Sequence, residues 1–207
     1  MMTGRFVSFE GGEGAGKSTQ LRRLAERLRE AGQEVVTTRE PGGTPGADAI
    51  RQLILTGDAD RWGVRAEALL MNASRADHVE RLIRPTVARG AWLITDRYAD
   101  STLVYQGVGG GLPEDELRAL HQVATDGLWP DLTLILDIPE GEGLARATAR
   151  AGAEMRFESK GAAFHAAVRD GFRQRAAAEP DRCKLIDASG SVEDVATRIW
   201  AAVQPLL

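Results

Sequence analysis

Gly11-Gly12-Glu13-Gly14-Ala15-Gly16-Lys17-Ser18 meets every fixed position of the pattern G-x-x-x-x-G-K-[ST]. A glycine-rich backbone can turn several N–H groups onto one phosphate, and a following helix adds its positive end. Lys17 then supplies a point charge to the β- and γ-phosphates of a nucleoside triphosphate, and the Ser18 hydroxyl a hard oxygen ligand for Mg²⁺. Among 26 basic residues only Lys17, Lys160 and Lys184 are lysines, so the loop uses a compact ammonium in a chain that otherwise relies on arginine. The pattern carries meaning only between a strand and a helix. Arg5–Glu10 (RFVSFE) is the β-rich run before it. Lys17–Ala31 follows, with Leu21, Leu24, Ala25 and Leu28 at helical spacing and Gly32 as a stop. Gly11 to Thr19 therefore reads as an ATP-binding loop rather than a ligand-free glycine turn.

A triphosphate loop does not name a reaction. The guanine-reading tetrapeptide N-K-x-D is absent, and the chain is too short for a large motor ATPase. A small-molecule kinase remains, and it needs a second anion site for its acceptor. Three segments offer one: Thr38-Arg39-Glu40-Pro41-Gly42-Gly43-Thr44, the Asn72-Ala73-Ser74-Arg75 run, and Asp96-Arg97-Tyr98 with the stretch to Gly107. Each alone has a plain structural explanation: a turn, a solvated helix arginine, a helix cap. Beside a phosphate loop they form a constellation.

Strands and helices alternate along the 207 residues. Glu34–Arg39, Ala91–Asp96, Leu132–Asp137 and Lys184–Asp187 read as further strands, the middle two as buried parallel strands ending in Asp. Helices are expected at Asp48–Thr56, Ala66–Arg89 with a break or kink near Pro85, Pro113–Thr125, Glu142–Arg150, Ala163–Ala178 and Ser191–Val203, the last capped by Ser191. The expectation is a single α/β domain over residues 1–207, a five-stranded parallel sheet covered on both faces, with a mobile lid around 146–161. A net charge of −4 and 5% aromatic residues argue against nucleic acid as a partner. The opening ten residues lack a signal-peptide pattern, no apolar run reaches the roughly 20 residues of a membrane span, and Cys183 is the only cysteine. Three scattered histidines show no metal-ligand spacing. These features predict a soluble, cytoplasmic protein without a membrane partner.

FEGGEGAGKST, TREPGGT, the NASR helix, DRYADSTLVYQG and PDLTLILD, followed by an arginine-bearing segment, together resemble the bacterial type of thymidylate kinase over essentially the whole chain. That resemblance implies a P-loop NTPase fold of the nucleoside monophosphate kinase kind, transfer of the γ-phosphate of Mg²⁺·ATP to dTMP, and a homodimer formed through the long helices. It implies roles as well. Lys17 and the loop amides hold the donor phosphates, and Ser18 and Asp96 organise the metal. Glu13 reaches the acceptor sugar's 3′-hydroxyl. Arg97 and Arg39 hold the acceptor phosphate, while Arg75, Thr102 and Gln106 read the thymine edge. Tyr105 crowds C2′, Arg51 lines the pocket mouth, and Met71 covers the base face where a stacking Phe is common. Some relatives carry a catalytic arginine directly after the loop acid. Gly14 stands there in this chain, so the implied cation comes from the lid: Arg150 first, then Arg156 and Arg146. Another nucleoside or nucleotide kinase of the same fold also fits these residues. So does a catalytically silent nucleotide binder, although that would be expected to lose Lys17, Asp96 or Arg97.

Overall fold

Five strands, β1 (Arg5–Gly11), β2 (Val35–Arg39), β3 (Trp92–Asp96), β4 (Leu132–Asp137) and β5 (Cys183–Asp187), form one parallel sheet in the order β2-β3-β1-β4-β5. The structure is a computed structural model that describes residues 4–58, 60–139, 142 and 161–207. The crossover helices cover both faces, as parallel pairing demands. Central β1 packs its alternate residues Val7 and Phe9 beneath α1 (Lys17–Glu30) and α8 (Val192–Val203), with Leu24, Leu28 and Ile199. The intervening residues, Phe6, Ser8 and Glu10, point to the opposite face and are all buried. There Phe6 meets Val79, Ile83, Leu93 and Tyr98. The period of two thus sends two polar side chains of β1 beneath the functional end.

Each strand's carboxyl end opens into a loop that leads to a helix. Thr44 caps α2 (Pro45–Leu55) by accepting a hydrogen bond from the Ala47 N–H at 3.3 Å, with Pro45 in the first turn. This helix starts three residues before the expected Asp48, because the Thr-Pro pair is itself a start signal. The expected helix 66–89 is three pieces: α3 (Val64–His78), a π-helical turn over Val79–Ile83, and α4 (Arg84–Ala88). The irregularity precedes Pro85 by about a turn, since proline lacks the N–H and its ring crowds the carbonyl four residues back. A short helix α5 (Ala99–Thr102) continues into a second π-helical stretch, Leu103–Val108. Periodicity did not mark this helix, which carries Tyr105 and Gln106. Then come α6 (Glu114–Thr125) and α7 (Ala162–Ala178), near their expected bounds. Ser191 caps α8 in a reciprocal box with Asp194. All of the expected helix 142–150 beyond Glu142, and the lid residues Arg146, Arg150 and Arg156, lie outside the described residues. Among the described residues no helix is long and apolar enough to cross a membrane.

Candidate functional site

The loop after β1 ends at Gly16, whose φ of 90° only glycine adopts without strain. No side chain caps α1, so its first-turn N–H groups remain available to an anion. A Cβ at Gly12 or Gly16 would meet nothing within 4 Å, so the space over the loop is open. Lys17 is buried and its Nζ donates to the Gly11 carbonyl at 3.0 Å and the Gly12 carbonyl at 2.8 Å. Burial and the Arg97 charge both push its pKa down, and Glu13 and Asp96 push against them. Beside it the exposed Ser18 hydroxyl donates to Asp96 Oδ2 at 2.7 Å, joining the loop to the end of β3. A hydroxyl and a carboxylate oxygen at one point suit Mg²⁺, which takes one or two protein oxygens and leaves the rest to water and phosphate.

Arg97 follows Asp96 in the left-handed region, with φ 71°. That conformation costs a non-glycine residue roughly 1–2 kcal/mol, and it turns the guanidinium back onto the phosphate loop. Nη2 donates to Glu13 Oε1 at 2.6 Å, and Nη1 to the Gly11 carbonyl and Ser101 Oγ, each at 3.2 Å. Burial would raise the Glu13 pKa, but Arg97 and Lys17 outweigh it and hold the carboxyl at about 2. Tyr105 donates from its hydroxyl to the same Glu13 oxygen at 3.3 Å, and Arg97 lies 5.0 Å over its ring. Loop acid, arginine and tyrosine thus form one unit.

The turn is held from below by Glu10. Its Oε1 accepts from the Tyr98 N–H at 2.7 Å and its Oε2 from Ser101 Oγ at 2.6 Å, so both bonds go to the segment that carries Arg97. Burial, with Asp100 nearby, raises its pKa to about 8, against the two hydrogen bonds and the Arg97 charge that pull it down. A second buried network surrounds Arg75. Arg75 Nε donates to Glu40 Oε2 at 2.8 Å, Nη1 to Asn72 Oδ1 at 3.3 Å and Nη2 to Thr102 Oγ1 at 3.0 Å. Glu40 also bonds His78 Nδ1 at 2.9 Å, and His78 Nε2 bonds Thr38 Oγ1 at 2.9 Å. Burial works to raise the Glu40 pKa, and Arg75 and His78 overcome it and lower it. A Cβ at Gly43 would stand 2.3 Å from Thr38 Oγ1 and 2.6 Å from His78 Nε2, so the second glycine of REPGG is required for this packing.

One cleft of about 450 Å³ is lined by Lys17, Ser18 and Asp96 and also by Arg75, Met71 and Gln106. Arg39, Arg51, Thr102, Tyr105, Arg97, Glu13, Gly14 and Gly16 share its walls. Arg39 stands on the rim, largely exposed and 3.7 Å from Asp48. Arg51 donates to the Pro41 carbonyl at 2.7 Å. Thr19 belongs to the first turn of α1. Ala15 is buried in the core beneath the loop. Glu10, Ser101, His78, Asn72 and Glu67 had no assigned role in the sequence. For Glu10 a signal existed: Ser8 and Glu10 are polar at alternate positions of a β-rich run. For Ser101, His78 and Glu67 the partners are 38–91 residues away, and no local pattern shows them.

Residues 9–199 match the family model described as thymidylate kinase. The thymidylate kinase of Caulobacter vibrioides is 57% identical over 199 residues, covering 96% of this chain and 95% of that protein. That of Rhodopseudomonas palustris (strain TIE-1) is 55% identical over 206 residues, covering 98% and 90%. The crystal structure of thymidylate kinase from Ehrlichia chaffeensis superposes with a TM-score of 0.79 at 32% identity, covering 98% of this chain and 99% of that one. With a phosphate loop, a strand-end Asp-Arg pair and a buried arginine sharing one cleft, the chain belongs to the thymidylate kinase family.

Proposed function

We propose that the protein transfers the γ-phosphoryl group of Mg²⁺·ATP to the 5′-phosphate of dTMP, giving ADP and dTDP. The observation that carries this reading is the single cleft that holds the phosphate-loop residues at one end and the Arg75–Thr102–Gln106 wall at the other. Arg97 bridges them, bonded to the loop and to Ser101 of α5. The new bond forms between a dTMP phosphate oxygen and Pγ, the Pγ–O bond to the β-phosphate breaks, and the charge leaves on ADP. The attacking oxygen is already ionised, so no strong general base is required. Two phosphate groups repel, and Arg97 with Lys17 neutralises them as they approach in line. Mg²⁺, held by Ser18 and Asp96, would neutralise charge on the donor phosphates. Glu13, anionic at working pH, accepts a hydrogen bond from the 3′-hydroxyl. ADP release measured side by side for dTMP, dUMP, the ribo counterpart of dTMP, dCMP and dGMP tests the reading. Equal wild-type kcat/KM for dTMP and dGMP would sink it.

Tyr105 is the sugar reader in this proposal. Its ring is fixed by Phe164 and Phe172, with centroids 6.0 and 6.2 Å away, and by its bond to Glu13. Tyr105→Ala should narrow the kcat/KM preference for dTMP over its ribo counterpart about tenfold or more. An unchanged ratio would remove the ring from that role.

In the same reading the chain is one catalytic domain whose segment 146–161 supplies the transition-state cation, with Arg150 foremost. What supports this is Gly14, which leaves the phosphate loop without an arginine. Arg150→Ala should lower kcat at least about 10²-fold while dTMP affinity, read by calorimetry, changes little. Unchanged kcat in the alanine variants of Arg146, Arg150 and Arg156 would place the cation elsewhere. A cytoplasmic homodimer completes the reading, supported by Leu53 on α2 and Leu69 on α3, which leave exposed apolar surface for a second copy.

A further inference from the structure

Gln106 and Glu67 face each other across the base end of the cleft wall. Gln106 Nε2 donates to Glu67 Oε1 at 2.7 Å, and the two residues are 1% and 4% exposed. Gln106 lines the cleft and Glu67 does not, so the amide nitrogen is turned back into the wall. A glutamine amide has two ends of opposite hydrogen-bonding sense, and nothing in its own shape chooses between them. A carboxylate only accepts, so it admits the NH₂ end alone and leaves Oε1 for the cleft. Among the described residues no hydrogen bond reaches Gln106 Oε1.

The same cleft is lined by a set of donors on Arg75 and Thr102. Three Arg75 N–H groups are committed to Glu40, Asn72 and Thr102, and two remain. Thr102 Oγ1 accepts from Arg75, so its own proton is left to donate. The wall therefore shows an acceptor beside donors. That pattern complements a pyrimidine with N3–H beside a 4-oxo group. It opposes cytosine, which shows a bare N3 beside a 4-amino group. We infer that Glu67 sets the discrimination between oxo- and amino-pyrimidine monophosphates by fixing which end of the Gln106 amide faces the cleft. The inference rests on the dTMP kinase reading and adds a positioning residue to it.

The test is kcat/KM for dTMP and dCMP, with ATP as donor, in three proteins. In Glu67→Gln the side chain at position 67 both donates and accepts, so the Gln106 amide is free to turn over. The dTMP:dCMP ratio should fall at least about tenfold, with dCMP turnover rising as dTMP KM rises. The reciprocal double variant Glu67→Gln/Gln106→Glu keeps the volume and the charge. The wall nitrogen then belongs to the amide introduced at position 67, and a carboxylate oxygen at position 106 faces the cleft. The ratio should return to within about threefold of wild type. A merely structural role for Glu67 predicts no change of ratio in the single variant and no recovery in the double. An unchanged ratio in Glu67→Gln overturns the inference. Should that variant fail to fold, a double variant that prefers dCMP overturns it instead. Wild-type protein that turns over neither dTMP nor dUMP would place the fault in the dTMP kinase reading rather than in Glu67.

Discussion

Lys17→Ala should turn over dTMP at least about 10²-fold more slowly than wild type, with little change in thermal stability. The ammonium donates only to the carbonyls of Gly11, the last residue of β1, and Gly12, both within six residues of it, so its loss breaks no long-range hydrogen bond. Burial already lowers its pKa, so removing it also removes a desolvated charge. Arg97 no longer faces a second cation there, which offsets part of the loss of packing. In the reaction the same charge has a different value, because the γ-phosphoryl group spreads negative charge as it leaves ADP and Lys17 is positioned before that charge develops. The check is steady-state kcat with saturating ATP and dTMP, beside a melting curve. More than a tenth of wild-type kcat would remove Lys17 from its assigned place.

Arg97→Ala should cost about 10³-fold in kcat/KM for dTMP, the largest loss from a single side chain on the acceptor side. Arg97→Lys should restore less than a tenth of the difference, since an ammonium cannot contact Glu13, the Gly11 carbonyl and Ser101 together. Glu13 should respond in a defined direction. Arg97 is the largest of the charges that offset its burial, so its pKa should rise from about 2 in the variant. With a folded-state pKa below the ordinary glutamate value of 4.5, Glu13 stabilises the wild-type fold above that value and loses the contribution as pH falls toward 2. The stability that Glu13 loses between pH 4.5 and 2 should therefore be smaller, and the acid limb of a stability profile shallower, in Arg97→Ala. Backbone strain is separable from these charges. Both Arg97→Ala and Arg97→Gly lose the ion pair, but only glycine sits at φ 71° without penalty. The glycine variant should be the more stable of the two by about 1 kcal/mol. Equal melting temperatures would show that the turn stores no strain.

The donor half of this site was legible before any fold was known. Gly11 to Ser18 is contiguous, and its function follows from backbone torsions and a helix start that neighbouring residues set. The sheet was legible too, because β1, β3 and β4 are short apolar-rich runs whose parallel pairing forces crossover helices. Met71, Arg75, Thr102, Tyr105 and Gln106 stood out as a group through family resemblance, and the fold brings them into one cleft. How they are held came only from long-range packing. The helix over 99–108 escaped periodicity because Thr102, Tyr105 and Gln106 are polar or amphipathic side chains that are buried there, so no polar face alternates with an apolar one. Glu40, Glu67 and Glu10 are acidic residues that composition places on a surface, yet each is at most 5% exposed. Their burial is tolerable only because Arg75 and His78, Gln106, and the Tyr98 N–H with Ser101 reach them from 35 to 91 residues away. A local pattern has a range of about one helical turn or one strand, and these partners meet only after the sheet has assembled.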